Sequence, residues 1–206
     1  MMYAFFRYEP IKKIISIIES SKKTLIISIC GGSCAGKTTL AQHLEFLGLG
    51  SVLAMDNFYK PISEIEEYKK GIPAFDTPGA FEIDRLIYSL TELRNGNIVQ
   101  IPSYLYSKIE NGRDNSRVNI VKPSKIILLD GILSYCDEIS DHVDFALFVN
   151  RDPIKRRKSR IVRDVKERGV SSERAAEIYD KMVIPLYENI VLPQRLKTHF
   201  FVENKP

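Results

Sequence analysis

The stretch CGGSCAGKTTLAQHL (residues 30–44) combines glycines, a lysine and two threonines at a spacing that suits phosphate binding. It fits the pattern G-x-x-x-x-G-K-[ST] from Gly31 to Thr38. Glycines let the backbone curl so that successive N–H groups point at an anion, and a following helix directs its positive end to the same place. Lys37 would contact the β- and γ-phosphates and Thr38 would offer a hydroxyl to Mg²⁺, so we predict a nucleotide-binding loop that takes ATP or GTP. Its predicted residues are Gly31, Gly32, Ser33, Cys34, Ala35, Gly36, Lys37, Thr38 and Thr39. The alternative is a glycine-rich turn without a ligand.

Two carboxylates stand where predicted apolar strands end. Asp56 ends SVLAMD (51–56), and Asp130 ends the apolar part of KIILLDGIL (125–133). An acid beside the phosphate-loop strand is placed to hold Mg²⁺ directly or through water, so we predict that Asp130 and Thr38 form the metal site. Phosphoryl transfer to an alcohol also needs a carboxylate that orients the hydroxyl and accepts its proton. The alternatives are a polar strand end at Asp56 and a helix cap at Asp130.

Basic residues are concentrated in RDPIKRRKSRIVRDVKERG (151–169). The segment carries a net charge of +6, whereas the whole chain carries +4, so the remainder is slightly acidic. Concentrated arginine suits the charge that spreads over a phosphoryl group during its transfer. A solvated basic helix is the alternative, and nucleic-acid binding is disfavoured because no matching pattern of base-stacking aromatics accompanies the segment. Its basic residues are Arg151, Lys155, Arg156, Arg157, Lys158, Arg160, Arg163, Lys166 and Arg168.

Short apolar strands that alternate with helices must position these groups. This pattern predicts an α/β fold with a mostly parallel sheet covered on both faces, which binds ligands outside the carboxyl ends of its strands. We predict strands over 24–29, 51–56, 125–133, 145–150 and 199–204, and a strand or edge hairpin over 98–106. The predicted helices cover 9–21, 37–47, 81–96, 152–168 and 172–190, the last interrupted by Pro185, and 57–79 is loop-rich.

Length and composition indicate a globular protein of one domain, or of one domain with an appendage. The 206 residues include no apolar run of membrane-spanning length and no secretory signal, so we expect a cytoplasmic protein without a membrane partner. The three cysteines show no CxxC pair and are expected to be reduced thiols. His43, His142 and His199 lack metal-ligand spacing.

Six segments, in order over residues 24–204, resemble the uridine/cytidine kinase family, which has phosphoribulokinase and pantothenate kinase as neighbouring families. The resemblance implies a three-layer P-loop NTPase fold of the nucleoside/nucleotide kinase type, with a helical arginine-rich lid near 151–170. It also implies a kinase domain over 23–206. The helical spacing of Ile11, Ile14, Ile15 and Ile18 separately predicts an N-terminal amphipathic helix, so we divide the chain into 1–22 and 23–206. The matching segments are GGSCAGKTT, MDNFYK, AFDTPGAFEID, IPSYLYS, ILLDGIL and RIVRDVKERG.

The resemblance also assigns roles to individual residues. It implies that Asp56 accepts the acceptor's proton and that Lys37 and Arg163 assist catalysis. Arg163 and Arg168 would contact the nucleotide's phosphates, while Arg160 would face the acceptor's hydroxyls. The implied acceptor site consists of Asp56, Tyr59, Phe75, Asp76, Tyr104 and Arg160. Tyr59 and Phe75 are core aromatics in the alternative interpretation.

Several positions depart from the family pattern. Leu105 stands where the family has aspartate, and SKIENGRD replaces a histidine-bearing segment, with Arg113 as a shifted match for its last arginine. Val170 replaces a further arginine, and Asp130 stands where glutamate is usual. The resemblance implies transfer of a γ-phosphoryl group to a primary hydroxyl of a small acceptor, with uridine or cytidine as the leading acceptor. The departures keep a ribose-like or other polyol acceptor open.

Three other functions stay open from the sequence. They are a kinase of the same fold that acts on a sugar phosphate or another metabolite, an NTPase without a small-molecule acceptor, and a nucleotide-binding module that has lost catalysis. The oligomeric state, a homo-oligomer included, is likewise open.

Overall fold

The computed structural model describes residues 21, 23–65, 75–104 and 113–205, with the side chains of 62, 104 and 113–117 left outside the description. The helix expected over 9–21 lies outside the described residues except for Ser21, so the division of the chain at residue 22 stays a prediction. In the part that is described, no helix is long and apolar enough to span a membrane.

A five-stranded parallel sheet forms the centre of the molecule, as the apolar strand pattern predicts. Its middle strand is β1, and Ile29 of β1 lies opposite Asp130 on one side and Leu147 on the other. Every predicted strand of this sheet is confirmed to within a few residues. The strands in spatial order are β2 (Ser51–Ala54), β5 (Ile126–Asp130), β1 (Leu25–Cys30), β6 (Phe145–Asn150) and β7 (Phe200–Glu203).

A separate antiparallel hairpin is made of β3 (Val99–Tyr104) and β4 (Arg113–Val121). Its register shifts between Pro102 and Ser103, where proline cannot donate a ladder hydrogen bond. The hairpin alternative for residues 98–106 is therefore confirmed, but β4 itself was not predicted. Polar residues surround its few apolar ones, so the sequence shows no apolar run there.

Helices cover both faces of the sheet. They are α1 (Lys37–Phe46), α2 (Ile83–Arg94), α3 (Asp137–Ser140), α4 (Pro153–Arg168) and α5 (Ser172–Ile178). The side chain of Asp152 caps α4 by accepting a hydrogen bond from the Lys155 amide, and α4 ends at Gly169 with a left-handed φ of 67°. Since the sheet has helices on both faces, the three-layer α/β fold is confirmed.

The interruption expected at Pro185 takes the form of widened helical turns and not of a break. After α5 the backbone continues through a π-helical turn (Tyr179–Val183), a short α-helical turn (Ile184–Leu186) and a second π-helical turn (Tyr187–Val191). A 3₁₀ turn (Leu192–Leu196) follows. Proline lacks the N–H that an α-helix needs, and π-helical turns accommodate such a gap.

The core is split into two clusters by the sheet, because successive strand side chains point to opposite faces. Ile26 and Ile127 belong to the larger cluster, which also contains Leu86 of α2. Ile27 belongs to the second cluster, together with Leu40 of α1. The two layers of apolar contact hold β1 rigidly from both faces, and β1 leads directly into the glycine loop.

Asp144 ties the amino end of the sheet together. Its carboxylate accepts a hydrogen bond from the Ile26 amide at 2.9 Å, from Arg94 Nη2 at 2.6 Å and from Lys23 Nζ at 2.9 Å. Burial alone would raise the pKa of Asp144, but these donors outweigh burial and lower it. The ionised carboxylate therefore stabilises the fold at neutral pH.

Candidate functional site

The glycine loop occupies the carboxyl end of β1 in a conformation that requires glycine. Gly31 has a φ of +136°, and a Cβ there would lie 2.3 Å from the carbonyl oxygen of Val149. Gly36, just before α1, has a left-handed φ of 101°. The loop closes on itself through the Ala35 amide, which donates to the Gly32 carbonyl at 3.1 Å. The curled backbone expected from the sequence is therefore present.

Lys37 folds back over this loop. Its Nζ donates to the Gly32 carbonyl oxygen at 3.0 Å, and the residue is almost completely buried. Burial lowers the pKa of Lys37, while the negative charges of Asp130 and Asp56 act in the opposite direction. The lysine charge is thus held inside the loop, where a phosphate oxygen could replace the Gly32 carbonyl as the acceptor of its hydrogen bond.

Thr38 and Asp130 lie side by side where α1 begins and β5 ends. The Thr38 hydroxyl donates to Oδ2 of Asp130 at 2.6 Å. Burial raises the pKa of Asp130, although Lys37 and the Thr38 hydrogen bond partly oppose that rise. The buried Oδ1 of Asp130 has no hydrogen-bond partner among the described residues. An unused carboxylate oxygen beside a hydroxyl is a donor set that suits Mg²⁺.

Asp56 and Asp76 complete the acidic side of the site. The strand expected to reach Asp56 ends at Ala54, and Asp56 lies in a 3₁₀ turn (Met55–Phe58) directly after it. The pKa of Asp76 is raised, because the effect of burial exceeds the opposing effect of the Arg160 charge. The charge of Asp56 influences the pKa values of Lys37, Asp76 and Asp130. The charge of Asp56 therefore acts on both Lys37 of the loop and the Asp130 carboxylate that Thr38 contacts.

The arginine-rich helix α4 packs its inner face against the glycine loop. Arg160 Nη1 donates to the Ser33 hydroxyl at 2.9 Å, and Arg163 Nη2 lies 3.4 Å from the same oxygen. Arg168 lies near enough for its charge to lower the pKa of Asp76. Because Arg156 and Arg160 are buried, the structure favours the lid prediction over a solvated basic helix.

Three residues that we did not predict also hold the loop. Arg151 Nη1 donates to the Cys34 carbonyl at 3.1 Å, and Asn204 Nδ2 donates to the Ala35 carbonyl at 2.8 Å. Arg156, only 5% exposed, packs so closely on Gly32 that a Cβ there would lie 2.2 Å from its Nη1. A signal for Arg151 and Arg156 existed in the charge of the segment, but the sequence does not show which side chains face inward.

The arginine at 156 is held in place by an aromatic ring. Its Cζ lies 3.9 Å from the ring centroid of Tyr187, and its Nε donates to the Arg151 carbonyl at 3.2 Å. Tyr187 begins the second π-helical turn. The widened turn after Pro185 therefore contributes to the site by supplying this ring.

Two of the aromatic residues predicted for the acceptor site have described side chains, and both pack in or against the core. Tyr59 is 2% exposed and stacks on Phe81 with ring centroids 4.1 Å apart, so its ring packs in the core. Phe75 is half-buried and meets Tyr59 edge-on at 6.2 Å. The side chain of Tyr104 lies outside the described part of the structure, as do Leu105 and the side chain of Arg113. A nucleoside-binding role for these residues stays a prediction.

The parallel sheet, the glycine loop after its middle strand and the acid at the end of the neighbouring strand define a P-loop kinase fold. A family model described as "Phosphoribulokinase / Uridine kinase family" matches residues 26–206. The chain belongs to this family. The resemblance of its six segments to uridine/cytidine kinases is thereby confirmed.

Relatives and solved structures agree with this assignment. The chain is 38% identical over 174 residues to a uridine kinase of Chlamydia pneumoniae, covering 83% of this chain and 78% of that one. It is 34% identical over 178 residues to a uridine kinase of Lactococcus lactis subsp. cremoris (strain MG1363), covering 84% and 85%. The solved phosphoribulokinase from Rhodobacter spheroides shares the fold, with a TM-score of 0.63 at 18% identity over 89% of this chain and 71% of that one.

Proposed function

We propose that this protein is an ATP-dependent kinase that transfers the γ-phosphoryl group to a hydroxyl of a nucleoside, with uridine or cytidine as the leading acceptor. One observation supports it most directly: at the carboxyl end of the sheet, Lys37 folds onto the glycine loop and Thr38 donates to Asp130, and the charge of Asp56 is near enough to raise the pKa values of Lys37 and Asp130. Relatives named uridine kinase, 34–38% identical over most of the chain, support the nucleoside as acceptor.

The donor would bind along the glycine loop. The loop's backbone amides and Lys37 would hold the β- and γ-phosphates, with the Lys37 ammonium exchanging its contact with the Gly32 carbonyl for a phosphate oxygen. Thr38 and Asp130 would hold Mg²⁺, which when bound neutralises charge on the phosphates. Because Lys37 and Asp130 are buried, their charges act through less water than surface groups would.

The acceptor hydroxyl would lie on the side of Asp56. In the proposed role, this carboxylate orients the hydroxyl and takes its proton as the oxygen attacks the γ-phosphorus. The bond between the γ-phosphorus and the β–γ bridging oxygen breaks, and ADP leaves. Asp76 would accept hydrogen bonds from neighbouring hydroxyls of the acceptor. Burial raises the pKa of Asp76, so a hydroxyl-rich acceptor that donates to its charged form would lower this pKa again.

The arginines of α4 would close the site from above. Arg163 and Arg160 already contact the loop through the Ser33 hydroxyl, so a polyphosphate on the loop would lie within their reach. Planar guanidinium groups match the charge that spreads over three phosphoryl oxygens in the transition state. A closed lid also keeps water from the γ-phosphate, which limits hydrolysis.

A kinase of the same fold that acts on a phosphorylated or hydroxyl-rich metabolite is the second candidate. Two observations favour it. The charges of Arg160 and Arg168 both lower the pKa of Asp76, so cationic groups lie near the proposed acceptor side. The ring of Tyr59 stacks on Phe81 in the core. An anionic acceptor would use such arginines, whereas a nucleobase would use exposed aromatic rings.

A coupled assay of ATP consumption over nucleosides, pentose phosphates and pantothenate tests the proposal. We expect uridine or cytidine to support the highest kcat/KM. Asp56→Asn should then lower kcat by roughly 10²-fold or more while Mg–ATP affinity changes little, since a catalytic base acts in the chemical step. Asp84→Asn, at an exposed carboxylate on α2, is the matched control. Unchanged turnover in Asp56→Asn, or ATP consumption independent of every acceptor, would contradict the proposal.

A further inference from the structure

One buried carboxylate on α4 forms ion pairs with three arginines. Asp164 is 2% exposed, and its Oδ2 lies 2.7 Å from Arg160 Nε. Its Oδ1 lies 3.5 Å from Arg163 Nε and 3.4 Å from Arg168 Nε. Residues 160, 164 and 168 are four apart, so they share one helix face, and that face is turned toward the glycine loop.

The way in which Arg160 and Arg163 bind Asp164 bears on where their other nitrogen atoms point. Both ion pairs with the carboxylate are made by Nε. The Nη groups of Arg160 and Arg163 converge on the Ser33 hydroxyl of the glycine loop. The Asp164 carboxylate binds the Nε side of these guanidinium groups, and the Ser33 hydroxyl lies at their Nη side. Together the two contacts direct the guanidinium groups toward the phosphate-binding loop.

Charge gives the second reason for a carboxylate here. Three guanidinium groups within ion-pair distance of one point repel one another unless an anion lies among them. Burial alone would lower the pKa of Arg160, and the charge of Asp164 is the largest opposing influence, so that the net pKa is raised. The carboxylate thus keeps the arginines together before a polyphosphate binds.

The two carboxylate oxygens of Asp164 bind their arginines at different distances. Oδ2 makes a short hydrogen bond to Arg160, whereas the buried Oδ1 makes no hydrogen bond among the described residues and meets Arg163 and Arg168 only at ion-pair distance. Asp164 therefore fixes Arg160 more firmly than it fixes Arg163.

We propose that Asp164 is a positioning residue that aims Arg160 and Arg163, the two arginines that reach the Ser33 hydroxyl, at the triphosphate of the donor. Asp164 acts through these arginines and touches neither substrate. The inference rests on the proposed function for its kinetic consequence, but its effect on polyphosphate binding is independent of any acceptor.

The proposal is tested by comparing how tightly the wild type and Asp164→Asn bind inorganic tripolyphosphate, because the two explanations predict affinity changes in opposite directions. Asp164→Asn adds a net positive charge, so a lid that acts by charge alone would bind tripolyphosphate more tightly. Misaimed arginines would instead bind it about fivefold or more weakly, which is the result we expect from isothermal titration calorimetry at fixed salt. The control is Glu167→Gln, at an exposed carboxylate of the same helix, which changes the charge equally and should bind tripolyphosphate as tightly as the wild type or slightly more tightly. Unchanged or tighter binding by Asp164→Asn overturns the proposal.

Kinetics supplies a second readout that a merely structural role would not move. We expect Asp164→Asn to lower kcat by at least about tenfold with little change in the acceptor's KM. In an Arg163→Ala background the same change should cost less, because residues that act together are not additive. Equal losses in both backgrounds would contradict the proposal.

Folding and function can be separated in the same experiment. If circular dichroism shows that Asp164→Asn does not fold, Asp164→Glu keeps the charge and displaces it by one methylene, and a folded Asp164→Glu with wild-type kcat and tripolyphosphate affinity overturns the proposal. If the wild type phosphorylates no acceptor but binds tripolyphosphate more tightly than Asp164→Asn does, the proposed function fails and the role of Asp164 stands.

Discussion

Replacing Gly31 with alanine should destabilise the protein strongly even without a ligand. The structure gives two separate reasons. A φ of +136° is strained for any residue with a Cβ, and the new Cβ would lie 2.3 Å from a backbone oxygen of Val149 that belongs to a central strand. Strained backbone costs about 1–3 kcal/mol, and overpacking a rigid neighbour costs about 1–3 kcal/mol more. We expect a loss of about 4 kcal/mol in the free energy of unfolding, the sum of the two mid-range costs.

Two other glycines separate these contributions. Gly96 has a φ of +88°, and a Cβ added there would have nothing within 4 Å, so Gly96→Ala should cost about 1 kcal/mol from backbone strain alone. Gly131 lacks the left-handed φ, but its Cβ would lie 2.6 Å from the Cβ of Met55, so Gly131→Ala should cost about 2 kcal/mol from packing alone.

Urea unfolding and thermal denaturation, followed by circular dichroism without nucleotide, measure all three variants. For a chain of this size 1 kcal/mol corresponds to about 2–4 °C in Tm, so Gly31→Ala should melt roughly 8–16 °C below the wild type. A Gly31→Ala variant within about 1 kcal/mol of Gly96→Ala would refute the close approach to Val149.

Three further predictions concern charge. Arg163→Ala should lower kcat roughly 10²-fold with little change in Tm, while Lys158→Ala, at an exposed lysine of the same helix, should leave kcat near wild type; a change mainly in Tm would favour a structural role. Asp130→Asn should raise the Mg²⁺ concentration for half-maximal turnover about tenfold or more, and an unchanged requirement would exclude Asp130 from the metal site. The pKa of Asp144 is lowered by folding, so its carboxylate stabilises the fold above the unfolded pKa and this stabilisation is lost as pH falls through the folded pKa. Asp144→Asn should therefore cost about 1–2 kcal/mol at neutral pH and much less in acid near the folded pKa, and equal costs in urea titrations under both conditions would rule out a charge effect.

The features that local sequence patterns encode were predicted closely. The sequence predicts β1 over 24–29 and α1 over 37–47, and the structure gives Leu25–Cys30 and Lys37–Phe46. A short apolar run, a set of glycines and a helical repeat are each recognisable within a few residues, so the α/β fold class follows from them. The family follows from the resemblance of the six longer segments. Asp130 was also placed correctly beside the phosphate-loop strand, because a buried acid at the end of an apolar run leaves few alternatives.

Features that depend on distant contacts were harder to predict. The apolar run 51–56 gives no sign that the strand stops at Ala54, since the turn that carries Asp56 is set by packing of Met55 and Phe58 in the core. The concentration of arginine predicted a lid. The spacing of Asp164 from Arg160 and Arg168 was visible, but which face of α4 meets the loop is decided by the fold.

The hydrogen bond from Asn204 to the Ala35 carbonyl has a consequence for biosynthesis. These residues are 169 positions apart, and at about 5–20 residues per second a ribosome needs roughly 10–30 s to travel that distance. β1 likewise waits for β5 and β6, its two partners in the sheet, which lie far later in the chain. A nascent chain therefore emerges with its nucleotide-binding loop long before the loop can be anchored, and competence for the donor should arise only after nearly all of this sequence has left the exit tunnel.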